Sequence, residues 1–173
     1  TGLVSPSRFD WPAQAEGIAA SCPKSVAVVM FGANDRPPVR IRGEVHPDLA
    51  AKFAATYVAR VRAVVRGLGQ YCSGVVWVGH PPVRDPVYAE DMVILNRLFA
   101  EGAMAEGADW FPSWPVMADA DGGYAAFGKS PDGVTVRLRA DDGVHMTATG
   151  YEIIARALLP VLALHQGRID PAV

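Results

Sequence analysis

Two short runs carry side chains able to do chemistry together. In Asp141-Asp142-Gly143-Val144-His145-Met146-Thr147-Ala148-Thr149-Gly150-Tyr151 an acid stands three residues before a histidine, in a turn just ahead of an apolar helical pattern. Such a turn holds an imidazole exposed, with a carboxylate near enough to fix its tautomer, which is what a general base needs. Asp142 has that spacing; Asp141, four residues away, is the rival acid. The second run, Gly32-Ala33-Asn34-Asp35, follows the apolar stretch from Val26 to Phe31. An asparagine leaving the carboxyl end of a buried strand is placed to donate its amide to a developing oxyanion. Each run also has a plain reading. Asn34-Asp35 could be a simple turn, and Asp142 a helix cap, although Thr147 is the better capping residue for the last helix.

The elements that must position these residues alternate between helix and strand. Pro12 to Ala20 reads as a short helix behind an Asp10-Trp11-Pro12 start signal. Val26 to Phe31 and Gly74 to Val78 are continuous apolar runs of strand length, as expected of parallel strands covered on both faces. A third short strand starts at Ala108 to Trp110, and Val134 to Leu138 is a small strand or hairpin arm. Residues from Arg36 to Pro47 form a proline-rich loop. Long helices run from Pro47 to Val65, ended by Gly67 and Gly69, and from Pro86 to Glu106, with a final one from about Thr147 to His165. This alternation predicts one α/β domain over residues 1–173, a parallel sheet with helices on both faces. Ligands then bind beyond the carboxyl ends of the strands, where Asn34, His80 and the turn before the last helix converge.

Composition narrows the function further. Half of the 173 residues are hydrophobic and 20% are charged, the balance of a globular domain. A net charge of −2, with no basic cluster, argues against nucleic acid as a partner. No apolar run reaches the roughly 18–20 residues that cross a bilayer. The four histidines are scattered and neither cysteine has a CxxC partner, so neither a metal nor an organic cofactor is expected. Cys22 and Cys72 each lie three residues before the apparent start of neighbouring strands. Strands about 4.8 Å apart would bring equal offsets within disulfide range, and a Cys22–Cys72 bridge would imply an oxidising compartment. Two buried free thiols are the alternative.

The GxND run after one strand and the DxxH run before the terminal helix together resemble the SGNH (GDSL-type) hydrolases. That resemblance implies a three-layer α/β/α, flavodoxin-like fold with parallel strand order 2-1-3-4-5. Thr1-Gly2-Leu3-Val4 looks like the family's second block, whose glycine lends a backbone N–H to the oxyanion hole. The family's Gly-Asp-Ser nucleophile block is not in this sequence, and none of Ser5, Ser7, Ser21, Ser25, Ser73, Ser113 and Ser130 has that context. The resemblance thus begins after the first, central strand, and the serine is expected from an upstream segment or a second chain. Finer strings look like the bacterial DUF459 subgroup: Phe9-Asp10-Trp11-Pro12, Gly32-Ala33-Asn34-Asp35-Arg36, Trp77-Val78-Gly79-His80-Pro81-Pro82, Leu95-Asn96 and Arg137-Leu138-Arg139-Ala140.

By this resemblance His145 would be general base and then general acid, Asp142 would orient it, and Asn34 and Gly2 would donate to the oxyanion. Arg36 could meet an anionic substrate group, or pair with Asp35 or Asp85. His80 could touch substrate, or be a satisfied polar residue at a strand end. Three functions follow. The leading one is a serine esterase or acyltransferase acting on acyl, chiefly O-acetyl, groups of a cell-envelope or extracellular glycan, in the periplasm or outside the cell. The second is an inactive module that binds a glycan or a partner protein. The third is an N-terminal-threonine nucleophile at Thr1, activated by its own amine.

Overall fold

The computed structural model describes residues 2–4, 7–37, 40–41 and 44–169. Its order is helix α1 (Trp11–Ser21), strand β1 (Val26–Val29), a short pair β2 (Arg40–Ile41) and β3 (Glu44–Val45), helix α2 (Pro47–Gly69) and β4 (Gly74–Val78). Helix α3 (Pro86–Ala105), β5 (Asp109–Phe111), a single turn α4 (Trp114–Met117), β6 (Phe127–Lys129), β7 (Thr135–Arg137) and α5 (Ala148–Ile169) complete it. Strands β1, β4 and β5 form a parallel sheet in the order β1-β4-β5, with Val26 opposite Gly74 and Val76 opposite Asp109. With only the first strand of the expected order 2-1-3-4-5 absent, β1 and β4 would stand apart on either side of its gap. They pair directly instead, which places any missing neighbour beyond the outer edge of β1. On the far edge of β1 no strand pairs among the described residues.

Alternation along β4 builds two cores. Val75 and Trp77 face α1, α2 and α3, where Tyr57, Val61, Val64, Met92, Leu95 and Phe99 are buried. Val76 and Val78 face the other way, against Met117, Leu138, Ile154 and Leu158 of α4, the β7 end and α5. The central strand is therefore buried on both faces, as its unbroken apolar sequence requires. Val28 on β1 stays 46% exposed.

Two element boundaries and the cysteine pair differ from the sequence reading. The segment expected to be a loop holds the antiparallel pair β2–β3. Helix α2 does not stop before Gly67 but runs to Gly69. A Cβ on Gly67 would lie 2.8 Å from the Ala15 Cβ and 3.1 Å from the Glu16 amide nitrogen, so this glycine lets α1 cross α2 closely. Cys22 and Cys72 are separate thiols, the first exposed and the second half-buried. The register explains why they do not meet. Val26 opposite Gly74 puts Cys72 level with residue 24, two positions past Cys22. Lys24, at φ 64°, turns the chain between them. The last helix begins as expected, with Thr147 Oγ1 accepting the Gly150 amide at 3.1 Å.

Candidate active site

The three chain segments that leave the carboxyl ends of the sheet, or return to them, meet at one cavity of about 200 Å³. Asn34, His80, Arg139, His145, Met146 and Tyr151 are among its lining residues. Asn34 comes from the turn after β1, where the Asp35 amide donates to the Gly32 carbonyl at 2.9 Å. Gly32 sits at φ +102° with Phe99 and the Tyr57 hydroxyl 2.9 Å from where a Cβ would be, so only glycine makes this turn. Asn34 itself is exposed.

His80 follows β4 and is buried. Its amide donates to Asn96 Oδ1 at 2.7 Å, and Asn96 Nδ2 donates back to the His80 carbonyl at 2.8 Å. The ring Nε2 lies 3.2 Å from the Phe31 carbonyl, which can only accept, so Nε2 carries the proton. Burial pushes the His80 pKa below its ordinary value, against smaller opposing effects of the Phe31 carbonyl and the Asp35 charge. The ring is thus a neutral group tying the β4 end to the β1 end.

His145 and Asp142 occupy the turn before α5. His145 Nδ1 is 2.6 Å from Asp142 Oδ2, and Asp142 Oδ1 accepts the amides of Val144 at 2.8 Å and His145 at 2.9 Å. The imidazole hydrogen bond, then the two amides, hold the Asp142 carboxyl well below the usual carboxylate range. A proton fixed on Nδ1 leaves Nε2 as the basic nitrogen. Asp141 instead pairs with Arg137 and is almost fully exposed. The turn is clamped to the segment after β4 from two sides. The Arg84 amide donates to the Gly143 carbonyl at 3.0 Å and Arg84 Nη2 to the Asp141 carbonyl at 2.9 Å. Arg139, fully buried, donates Nη1 to the Pro82 carbonyl and Nη2 to the Val144 carbonyl, both at 2.7 Å.

Gly2 and Arg36 do not line the cavity. Gly2 is buried against Asp35. Arg36 pairs with Asp91 at 2.7 Å, not with Asp35 or Asp85, and its guanidinium lies 4.7 Å from the Tyr88 ring centroid. Asp85 instead caps α3, accepting the Tyr88 amide at 2.7 Å. Trp77 is core, Trp110 packs against Gly79, and Trp114 donates to the Gly122 carbonyl at 2.9 Å. Thr1 and Ser5 lie outside the described residues, and no described serine lines the cavity. Sequence reading gave no role to Arg139, Tyr57 or Tyr88; the one signal for Arg139 was a charged residue inside the Leu138–Ala140 stretch. Among the described residues no group of three His, Cys, Asp or Glu could hold a metal ion, and no helix is long and apolar enough to cross a membrane.

Solved structures of similar fold include a peptidoglycan O-acetylesterase, at 16% identity and a TM-score of 0.55 over 94% of this chain and 44% of that one. An extracellular lipase from Streptomyces rimosus matches at 14% identity and a TM-score of 0.47, over 77% of this chain and 69% of that one. This chain spans less than half the length of the O-acetylesterase. No curated protein sequence matches it. A family model described as protein of unknown function (DUF459) matches residues 1–161. The chain, an α/β domain similar in fold to that O-acetylesterase, therefore belongs to the DUF459 family.

Proposed function

We propose that this chain carries the base, its orienting acid and the oxyanion donors of an SGNH-type serine esterase, acting on O-acyl groups of a cell-envelope or extracellular glycan. The observation that carries the reading is His145, oriented by Asp142, facing the same cavity as Asn34 at the carboxyl end of the sheet. In the reaction, His145 Nε2 takes the proton of a serine hydroxyl as its oxygen attacks the ester carbonyl. Asn34 stabilises the oxyanion from the cavity wall, a donor of this type being worth about 2.7–4 kcal/mol at the transition state. The Gly2 amide, which does not border the cavity, is assigned as the second donor on the family resemblance alone. His145 then protonates the sugar oxygen as its bond to the acyl carbon breaks, releasing the sugar hydroxyl, and water or a second hydroxyl takes the acyl group by the reverse steps. His80 offers the Nδ1 acceptor to a substrate hydroxyl.

The serine comes from a segment beyond these 173 residues, before them or on a second chain. Its strand has a matching seat. The unpaired edge of β1 borders an apolar groove of about 480 Å³ lined by Trp11, Ala15 and Ile18 of α1, Val29 of β1, and Val64 and Leu68 of α2. A strand added there pairs with β1 and ends beside Asn34. The O-acetylesterase of similar fold makes O-acetylated peptidoglycan the first substrate to try, in a periplasmic or secreted setting.

No described serine lines the cavity, which is the ground for one second reading, a binding module without catalysis. Fluorophosphonate labelling of the polypeptide as the cell makes it, followed by peptide mapping, separates them. A tag on a serine outside these residues supports the esterase. A folded protein that takes no tag is the binding module, and a tag on Thr1 makes that residue the nucleophile.

A further inference from the structure

Asp35 is 2% exposed, yet none of the described lysines or arginines pairs with it. Its carboxylate is filled by neutral donors from two distant places. Oδ2 accepts the Leu3 amide and, at 2.8 Å, the Tyr57 hydroxyl of α2; Oδ1 accepts the Val4 amide at 3.3 Å. Leu3 is fully buried at this contact. A Cβ on Gly2 would fall on the carboxylate itself, so the glycine is what lets the 2–4 segment come this close. Burial, and next the Asp35 charge, push the Tyr57 hydroxyl far above its ordinary pKa, so it stays a donor. The amides of Leu3 and Val4 are turned to Asp35; that of Gly2 has no acceptor among the described residues.

We infer that Asp35 is a positioning residue, whose carboxylate staples the 2–4 segment to the turn carrying Asn34 and so aligns the two oxyanion donors. The inference rests on the esterase reading for its catalytic consequence. A carboxylate is required because all its partners are donors. An asparagine would set its NH₂ against either the Val4 amide or the Leu3 amide and Tyr57 hydroxyl, leaving a buried donor unmatched. The staple acts before substrate arrives, so its loss shows in the rate of the chemical step more than in binding.

The test compares the natural full-length polypeptide with its Asp35→Asn and Tyr57→Phe variants. Hydrolysis of 4-nitrophenyl acetate is measured, and amide hydrogen exchange is followed in the peptide holding Leu3 and Val4. For Asp35→Asn, kcat is expected to fall about 10²-fold with KM changed less than about twofold, the loss of one misaligned oxyanion donor. Exchange is expected to speed at least about tenfold at whichever of Leu3 and Val4 then faces the amide nitrogen of the introduced asparagine in place of an acceptor. Tyr57→Phe keeps both amide bonds and should show a several-fold drop in kcat with a smaller change in exchange; it serves alone if Asp35→Asn does not fold. Unchanged exchange in both variants overturns the staple. Faster exchange with unchanged kcat overturns its role in catalysis. A wild-type polypeptide with no esterase activity overturns the esterase reading instead, and exchange still decides whether Asp35 holds the segment.

Discussion

At His145 a proton on Nδ1, held by Asp142, fixes which nitrogen can act as base. Asp142→Asn keeps the size but offers that nitrogen a donor, which selects the wrong tautomer. The variant should lose roughly 10³–10⁴-fold in kcat, with KM nearly unchanged, in steady-state ester hydrolysis. His80 gives a second expectation, in stability. Its folded pKa lies below its ordinary value, so the unfolded chain binds more protons as pH drops. Stability from this residue is full above about pH 6.5 and is lost as pH falls from there toward the folded value. His80→Gln, which can still donate to the Phe31 carbonyl, should flatten that slope in urea unfolding between pH 7 and 5; an identical slope would remove His80 as its source. Asp142, His145 and Asn34 were legible in the sequence because their signal is local, three residues or one turn long. The roles of Asp35, Tyr57 and Arg139 were not, since each has a partner 22 to 57 residues away, Arg139 reaching Pro82 as well as nearby Val144. Spacing along the chain cannot announce a contact made by folding.

At the level of elements, the apolar runs of β1 and β4 and the three long helices were readable from the sequence. Interfaces between them were not. The expectation that both faces of β1 are covered, as those of β4 are, does not hold, since Val28 is exposed. Gly67 reads as a stop signal by composition, and only the crossing of α1 over α2 makes it a packing residue inside a helix. Gly67→Ala gains up to about 1 kcal/mol of helix propensity. It also forces a methyl against the Ala15 Cβ and the backbone of Glu16, and such overpacking typically costs about 1–3 kcal/mol. Backbone cannot swing aside as a side-chain tip can, so the loss should win. A net fall of about 1 kcal/mol, or roughly 2–4 °C in Tm by calorimetry, is expected; a rise in Tm would mean α1 yields freely. The cysteine pair teaches the same lesson. Counting back from strand starts placed both thiols level, whereas the true register displaces them by two residues.

The whole molecule is a three-layer sandwich finished on one side and open on the other. Strand β4 is enclosed by β1, β5 and helices on both faces, while β1 has one neighbour among the described residues and leaves Val28 exposed. A bare parallel edge with an apolar side chain invites pairing with another chain. The 173-residue chain should therefore self-associate as its concentration rises. Val28→Lys should reduce that association in sedimentation velocity without altering the far-UV circular dichroism. Under the proposed function, the same edge also decides whether the reaction's parts come into register. Base, acid and oxyanion donors are assembled beyond the carboxyl ends of the sheet, and the hydroxyl to be activated reaches them only from a strand seated on β1. The bare edge of β1 is then the alignment rail of the chemistry: a serine strand that slips along it by one residue points its hydroxyl away from His145.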